Sequence, residues 1–156
     1  MKIAIFGSKH QKKEQVEKLF GILNDNNVEI YLQEKFYYYL RDCHHLQYNV
    51  AGIIKNDEFD VDLVVTIGGD GTFLRTASVI GKKNIPILGI NAGRLGFLAD
   101  VGEEDLEATF EDVFSGNYRI EHRSQLHLTT EHKIYHGFNY ALNEVAIMKQ
   151  DTASMI

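Results

Sequence analysis

The sequence predicts an α/β fold, with a Rossmann-like N-terminal domain (residues 1–120) followed by the first strands of an incomplete all-β domain (residues 121–156). Three observations lead to this prediction. The chain begins with a strand, an amphipathic helix and a second strand. Two further apolar runs, residues 61–67 and 85–91, have the composition of buried parallel strands, and each leads into a glycine-rich loop. After Tyr118, alternating apolar and polar residues are typical of antiparallel strands.

The first strand covers residues 2–8 and ends in the turn Gly7-Ser8-Lys9. Apolar residues at spacing i, i+3, i+4 and i+7 then predict a helix, which residues 24–27 stop, and residues 28–32 alternate like a second strand. Two interpretations of the turn are open. The turn could contact phosphate, because ligands gather at the carboxyl ends of parallel strands. The alternative, which we favour, is an ordinary turn in which Ser8 caps the helix.

Residues 34–58 give a weaker pattern, an aromatic cluster followed by Cys43, His44 and His45. Three adjacent candidate ligands without a second cluster do not make up the four that a structural zinc site needs, so we expect no metal site. We expect a partly buried helix here, or a loop with packed aromatic side chains.

The glycine loop, defined as residues 68–71 (Gly-Gly-Asp-Gly), lies between a buried strand and a helix predicted from the spacing of Phe73, Leu74, Ala77 and Ile80. Glycine allows close approach of the backbone to a ligand, and the helix N-terminus attracts phosphate. Asp70 would then bind a hydroxyl, a proton or a metal beside the phosphate. The alternative is an ordinary turn, since Asp-Gly and Gly-Gly are common turn pairs.

The next strand ends in a second loop, residues 91–98, which together with the adjoining Ala99 is called the Asn91 loop. Strand ends on one side of a parallel sheet share a crevice, so we expect both loops to face one ligand. Asn91 offers a donor and an acceptor, suited to a ribose hydroxyl or an adenine edge, although turn chemistry alone also explains it. A helix over 103–114 follows, with Glu103, Glu104 and Asp105 in its first turn, as the helix dipole favours.

The C-terminal residues predict antiparallel strands around 126–130 and 141–148. Asn143 and Glu144 are the unusual residues of the second strand. As neighbours in a strand they point to opposite faces, one buried and one exposed, unless a bulge lets both reach one ligand. The spacing leaves both interpretations open.

Composition argues against several functions. The net charge of −6 argues against a nucleic-acid partner, and Cys43 as the single cysteine excludes an intrachain disulfide. No apolar run is long enough to span a membrane, and the first residues are too short an apolar stretch for a signal peptide. We therefore expect a cytoplasmic protein.

Three motifs in this order resemble the NAD kinases: Gly68-Gly69-Asp70-Gly71-Thr72, then Asn91-Ala92-Gly93-Arg94-Leu95-Gly96-Phe97-Leu98, then Leu142-Asn143-Glu144-Val145. The first motif is shared with diacylglycerol and sphingosine kinases, and the other two make the match specific. The family continues past this point through a β-rich domain with a later Ser-Thr-Pro-Gly-Ser-Thr motif, which is absent here.

The resemblance implies phosphorylation of the adenosine-ribose 2′-hydroxyl of NAD to form NADP, with ATP or polyphosphate as donor and a divalent ion (Mg²⁺ with ATP). It implies that Asp70 accepts the hydroxyl proton, and that the chain forms a dimer or tetramer. The residues that it implies for nucleotide binding are Gly68, Gly69, Gly71, Thr72, Phe73, Arg75, Asn91, Gly93, Asn143 and Glu144.

Two alternative functions remain from the residues. A lipid kinase would share the first motif but has no need for Asn143-Glu144, whereas a non-catalytic nucleotide-binding module would bind NAD without phosphoryl transfer. Because the later family motif is absent, we expect the 156-residue chain alone to be inactive.

Overall fold

A five-stranded parallel sheet forms the centre of the computed structural model, which describes residues 1–9, 11–45, 48–93, 96–131 and 139–146. Its strands are β1 (Lys2–Gly7), β2 (Glu29–Gln33), β3 (Gly52–Ile54), β4 (Leu63–Gly68) and β5 (Ile87–Asn91). All neighbouring pairs are parallel, in the order β3-β2-β1-β4-β5. The predicted parallel α/β sheet is confirmed. From β1, the chain adds β2 and β3 on one side and then β4 and β5 on the other.

Helices cover both faces of the sheet: α1 (Lys13–Asp25), α2 (Glu34–Cys43), α3 (Asp70–Ile80) and α4 (Leu106–Ser115). Alternate residues of β1 enter two separate cores, because successive strand side chains point to opposite faces. Ile3 and Ile5 pack with the apolar faces of α1, α2 and α4, whereas Ala4 and Phe6 belong to the core that includes Ile80 of α3. Of the four helices in the described ranges, only α3 contributes to that second core.

Two local predictions are corrected, and a third is confirmed with an addition. Ser8 does not cap α1, since the helix begins at Lys13 with Lys12 as its N-cap, and the Ser8 amide continues the sheet by donating to the Ile67 carbonyl. The helix predicted over 103–114 begins three residues later, which leaves Glu103 and Glu104 ahead of its first turn. In the stretch 34–58, α2 confirms the helix interpretation, but the short edge strand β3 was not predicted.

The C-terminal residues form a small antiparallel pair, β6 (Leu126–His127) and β7 (Tyr140–Ala141). Antiparallel pairing is therefore confirmed, but the predicted strand over 141–148 is wrong for residues 142–146, which continue past Ala141 without strand structure. Residues 147 and 148 lie outside the described ranges.

The pair packs on α3, where the Ser78 hydroxyl donates to the Tyr140 carbonyl at 2.6 Å and the Gln125 amide donates to the Ala77 carbonyl at 2.9 Å. The domain boundary near residue 120 stays a prediction. None of the helices in the described ranges is both long and apolar enough to cross a membrane.

Candidate functional site

The carboxyl ends of β1, β4 and β5 lie side by side and carry the two loops predicted from the sequence. Gly7 of β1 is the register partner of Ile67, and Gly68 of β4 is the register partner of Asn91. Because the strand order reverses between β1 and β4, this edge is the topological switch point, where open parallel sheets bind ligands. The fold therefore places both loops where a crevice is expected.

The glycine loop passes directly into helix α3. Gly69 is the N-cap and Asp70 the first helical residue, so Asp70 belongs to the helix rather than to a loop ahead of it. A Cβ at Gly68 would come within 2.8 Å of the Thr72 Cβ, which explains why glycine is needed there. No side chain caps the N-terminus of α3, which follows directly on the carboxyl end of β4, and a helix N-terminus attracts anions.

Thr72 and Arg75 form the next turn of this helix. The Thr72 side chain is buried, and its hydroxyl oxygen accepts a 3.3 Å hydrogen bond from Arg75 Nη2. The exposed Arg75 guanidinium also lies 3.7 Å from where a Cβ at Gly71 would be, so the cation lies alongside the glycine loop. Phe73 packs instead toward β5, with a ring carbon 3.1 Å from the Cβ position of Gly89.

Asp70 joins the two loops. Its Oδ2 accepts a hydrogen bond from the Phe97 amide at 3.0 Å, and its Oδ1 accepts from the amides of Leu98 at 3.0 Å and Ala99 at 3.3 Å. A Cβ at Gly96 would overlap Oδ1, so glycine is required for this approach. The two loops meet, and the contact is made by the carboxylate itself. That both loops face one ligand stays a prediction.

These hydrogen bonds change the chemistry of the carboxylate. The Phe97 amide, and after it the Leu98 amide, lower the pKa of Asp70 because they stabilise the ionised form, against a smaller opposing effect of desolvation. A carboxylate has about four acceptor positions, so three amides leave roughly one on Oδ2 for an incoming hydroxyl. Asp70 is thus an ionised, oriented acceptor.

Asn91 turns its amide into its own loop. Nδ2 donates to the Ala99 carbonyl at 3.1 Å and Oδ1 accepts from the Gly93 amide at 2.8 Å, while the residue is only 6% exposed. Both ends of the amide therefore shape the loop, as in the turn interpretation. Arg94 and Leu95 of the second motif lie outside the described residues.

Asn143 and Glu144 are both exposed, on the segment that follows β7. Because this segment is not a strand, the constraint that neighbours point to opposite faces does not apply to them. No hydrogen bond within the described ranges joins either side chain to Asp70 or to the Asn91 loop. The structure thus joins the first two motifs by hydrogen bonds and shows no such bond, among the described residues, from the Asn143 and Glu144 side chains to either.

Sequence reasoning missed two buried glutamines, Gln11 just before α1 and Gln15 in its first turn. Gln15 Nε2 donates to the Asn91 carbonyl at 2.7 Å, and Gln11 Nε2 donates to the Ile67 carbonyl. Spacing was an available sign for Gln15, which continues at a four-residue interval the apolar face that contains Leu19 and Leu23. Gln11 lies ahead of the helix, so helical spacing could not have found it.

The Cys43-His44-His45 run does not form a metal centre in the described structure. Cys43 is exposed, and His44 Nε2 pairs with the Tyr39 hydroxyl at 3.0 Å. Across the described ranges, no group of three or more His, Cys, Asp or Glu side chains is arranged to hold a metal ion.

Comparisons with known proteins agree with the sequence resemblance. The family model described as the ATP-NAD kinase N-terminal domain matches residues 3–118. The NAD kinase of Bacteroides fragilis is 45% identical over 158 residues, covering 100% of this chain and 54% of the relative. The NAD kinase of Flavobacterium psychrophilum is 38% identical over 162 residues, covering 100% and 55%. The chain thus spans about half the length of these curated relatives.

Solved structures of similar fold include yeast NADH kinase complexed with NADH, with a TM-score of 0.67 and 19% identity over 90% of this chain and 46% of that one. An Archaeoglobus fulgidus NAD kinase in complex with ATP has a TM-score of 0.56 and 24% identity, over 80% and 41%. At these identities the likeness supports the fold.

Proposed function

Because this chain belongs to the ATP-NAD kinase family, we propose that it supplies the catalytic carboxylate and phosphate-binding loop of an enzyme that phosphorylates NAD to NADP. The main observation in support is the position of Asp70. It is an ionised carboxylate at the N-terminus of α3 that also accepts hydrogen bonds from the Asn91 loop. A hydroxyl acceptor and an anion-attracting helix end lie within one turn of each other, as phosphoryl transfer to a hydroxyl requires.

In this mechanism the adenosine-ribose 2′-hydroxyl donates a hydrogen bond to Asp70 and transfers its proton as the new P–O bond forms. With ATP as donor, the bond between the γ-phosphorus and the oxygen that bridges it to the β-phosphorus breaks, and its electron pair leaves with ADP. The backbone amides orient the carboxylate and lower the pKa of Asp70, which keeps it ionised but makes it a weaker base, so its contribution combines proton acceptance with positioning.

The glycine loop has the role of holding the phosphates. Backbone groups of Gly68, Gly69 and Gly71 line this approach, and Thr72 and Arg75 stand on the next turn, where the guanidinium neutralises phosphate charge. Magnesium enters as part of the substrate, MgATP, since the described side chains offer no carboxylate cage for the free ion. Polyphosphate is the alternative donor.

The third motif contributes to NAD binding in this proposal. The exposed carboxylate of Glu144 and the amide of Asn143 are suited to grip ribose hydroxyls. Asn91 and Gly93 act through the shape of their loop, because the Asn91 amide is bonded within it. Phe73 acts by packing α3 against β5.

We also propose the two-domain division at residue 120, a cytoplasmic location, and a dimer or tetramer as the assembled form. The remaining half of the family's length then completes the β domain and the NAD site. These proposals follow from the family and from the length that the chain spans in its relatives.

The test is a chimera that joins this chain to the remaining part of the Bacteroides fragilis NAD kinase, with NADP measured by an NADP-specific dehydrogenase. With MgATP or polyphosphate as donor, we expect NAD to be converted to NADP. We expect no phosphorylation of diacylglycerol when the lipid is offered as the acceptor. A folded chimera that binds NAD without making NADP would support the non-catalytic module. Phosphorylation of the lipid alone would support the lipid kinase, and either result would overturn the proposal.

A further inference from the structure

Two glutamine side chains, Gln11 just before α1 and Gln15 in its first turn, bond to the ends of the central strands. Gln11 is 6% exposed and Gln15 is 2% exposed. The Gln11 amide donates to the Ile67 carbonyl and, at 2.7 Å, to the Ser8 hydroxyl. The Gln15 amide donates to the Asn91 carbonyl at 2.7 Å. The Ile67 carbonyl lies directly before the glycine loop, and the Asn91 carbonyl belongs to the first residue of the Asn91 loop.

Gln11 occupies the switch point itself. Ser8 follows β1, Ile67 belongs to β4, and these two strands are the neighbours at which the chain changes direction across the sheet. Gln15, in the first turn of α1, reaches the end of β5. Together the two amides attach the first turn of α1, and the segment that leads into it, to the last peptide groups of two adjacent strands.

Stability alone does not account for glutamine at these positions. The Oε1 atom of each side chain is buried and has no hydrogen-bond partner among the described residues. A buried acceptor without a donor costs free energy of the same order as a hydrogen bond contributes. The Ile67 carbonyl also already accepts from the Ser8 amide, so removing Gln11 does not leave it unpaired.

We infer that Gln11 and Gln15 are positioning residues that hold the glycine loop and the Asn91 loop at the spacing that phosphoryl transfer requires. The inference rests on the proposed function. Asp70 is fastened to the Asn91 loop through Phe97, Leu98 and Ala99, so a shift of β5 relative to β4 moves the carboxylate or releases those amides. A displacement of about 1 Å can reduce turnover by about a hundredfold.

The test replaces each glutamine by methionine, which keeps the length and removes the donor. Gln125→Met is the matched control, because Gln125 makes the same kind of bond, to the Ala77 carbonyl at 2.9 Å, away from the two loops. In the active chimera we expect Gln11→Met and Gln15→Met to lower kcat at least about tenfold, with little change in KM for NAD. Melting temperatures should stay within about 2 °C of the control variant.

A second measurement needs no activity. In the 156-residue chain, hydrogen exchange at the amides of Phe97 and Leu98 should be at least about tenfold faster in Gln15→Met than in Gln125→Met, because the loop is no longer fixed to α1.

The outcomes distinguish a failure of the proposed function from a failure of the inference about Gln11 and Gln15. If the parent chimera makes no NADP, the proposed function fails, and the exchange rates still decide the role of the glutamines. Unchanged kcat with unchanged exchange would overturn the inference. A large loss of melting temperature relative to Gln125→Met would also overturn it, because the glutamines would then be structural.

Discussion

Replacing Asp70 by Asn is expected to lower turnover of the active chimera at least about a hundredfold while NAD binding is retained, because base catalysis typically contributes about 10²–10⁴-fold. In the structure, Oδ1 accepts from the Leu98 and Ala99 amides and Oδ2 from the Phe97 amide. Asparagine keeps an oxygen in the Oδ1 position and presents an NH₂ group to Phe97. Two of the three hydrogen bonds are thus preserved while the base is lost.

Two further variants separate base catalysis from loop positioning. Asp70→Ala removes all three hydrogen bonds. Gly96→Ala keeps the carboxylate but places a Cβ 2.8 Å from Asp70 Cγ and 3.0 Å from Oδ2, which forces the carboxylate away from the loop. We expect both to weaken NAD binding, measured by calorimetry, as well as turnover. Asp70→Asn with turnover comparable to the parent protein, alongside inactive Asp70→Ala and Gly96→Ala, would show that Asp70 only positions the loop.

The pKa of Asp70 gives an independent check on folding. A carboxyl whose pKa is lowered by folding contributes stability above its unfolded pKa of about 3.9, and that contribution is lost as the pH falls through the folded pKa. The parent chain should therefore lose melting temperature below about pH 4, and Asp70→Asn should lose less. An identical acid dependence in the two proteins would contradict the ionised hydrogen-bonded carboxylate.

Three further predictions concern other parts of the chain. Asn143→Ala and Glu144→Ala should weaken NAD binding by calorimetry without a large loss of melting temperature, since both residues are exposed; the reverse pattern would make them structural. Tyr48→Phe should raise the free energy of unfolding by about 1 kcal/mol in denaturant titrations, because the buried hydroxyl has no partner among the described residues. Burial raises the pKa of Tyr48 to about 12. The parent protein, unlike Tyr48→Phe, should therefore lose stability at this site as the pH rises from about 10 through about 12. A Tyr48→Phe variant that is less stable than the parent would refute the prediction. Finally, the 156-residue chain by itself should bind NAD weakly and form no NADP, and robust NADP formation would show that the part of its relatives that this chain does not span is dispensable.

Long apolar patterns predicted most of the sheet, because burial imposes a period on the local sequence. The strands β1, β2, β4 and β5 and the buried face of α1 follow from residue order alone. The edge strand β3 has only three residues, which pair with Tyr31, Leu32 and Gln33 of β2, so its formation depends on a neighbour distant in sequence. The same dependence explains why the predicted strand over 141–148 is limited, among the described residues, to Ala141.

The sequence by itself determined which residues stand at the carboxyl ends of β4 and β5, because strand and helix periodicities are local properties that mark where each element stops. Tertiary structure decided where their side chains point. It turned the Asn91 amide into its own loop, fastened Asp70 to Phe97 and Leu98, and brought Gln15 to the Asn91 carbonyl. These contacts join residues up to 76 positions apart, and their geometry follows from the pairing of β4 with β5 and from helices packed on opposite faces. No local pattern encodes such distances, since they exist only after the sheet has assembled.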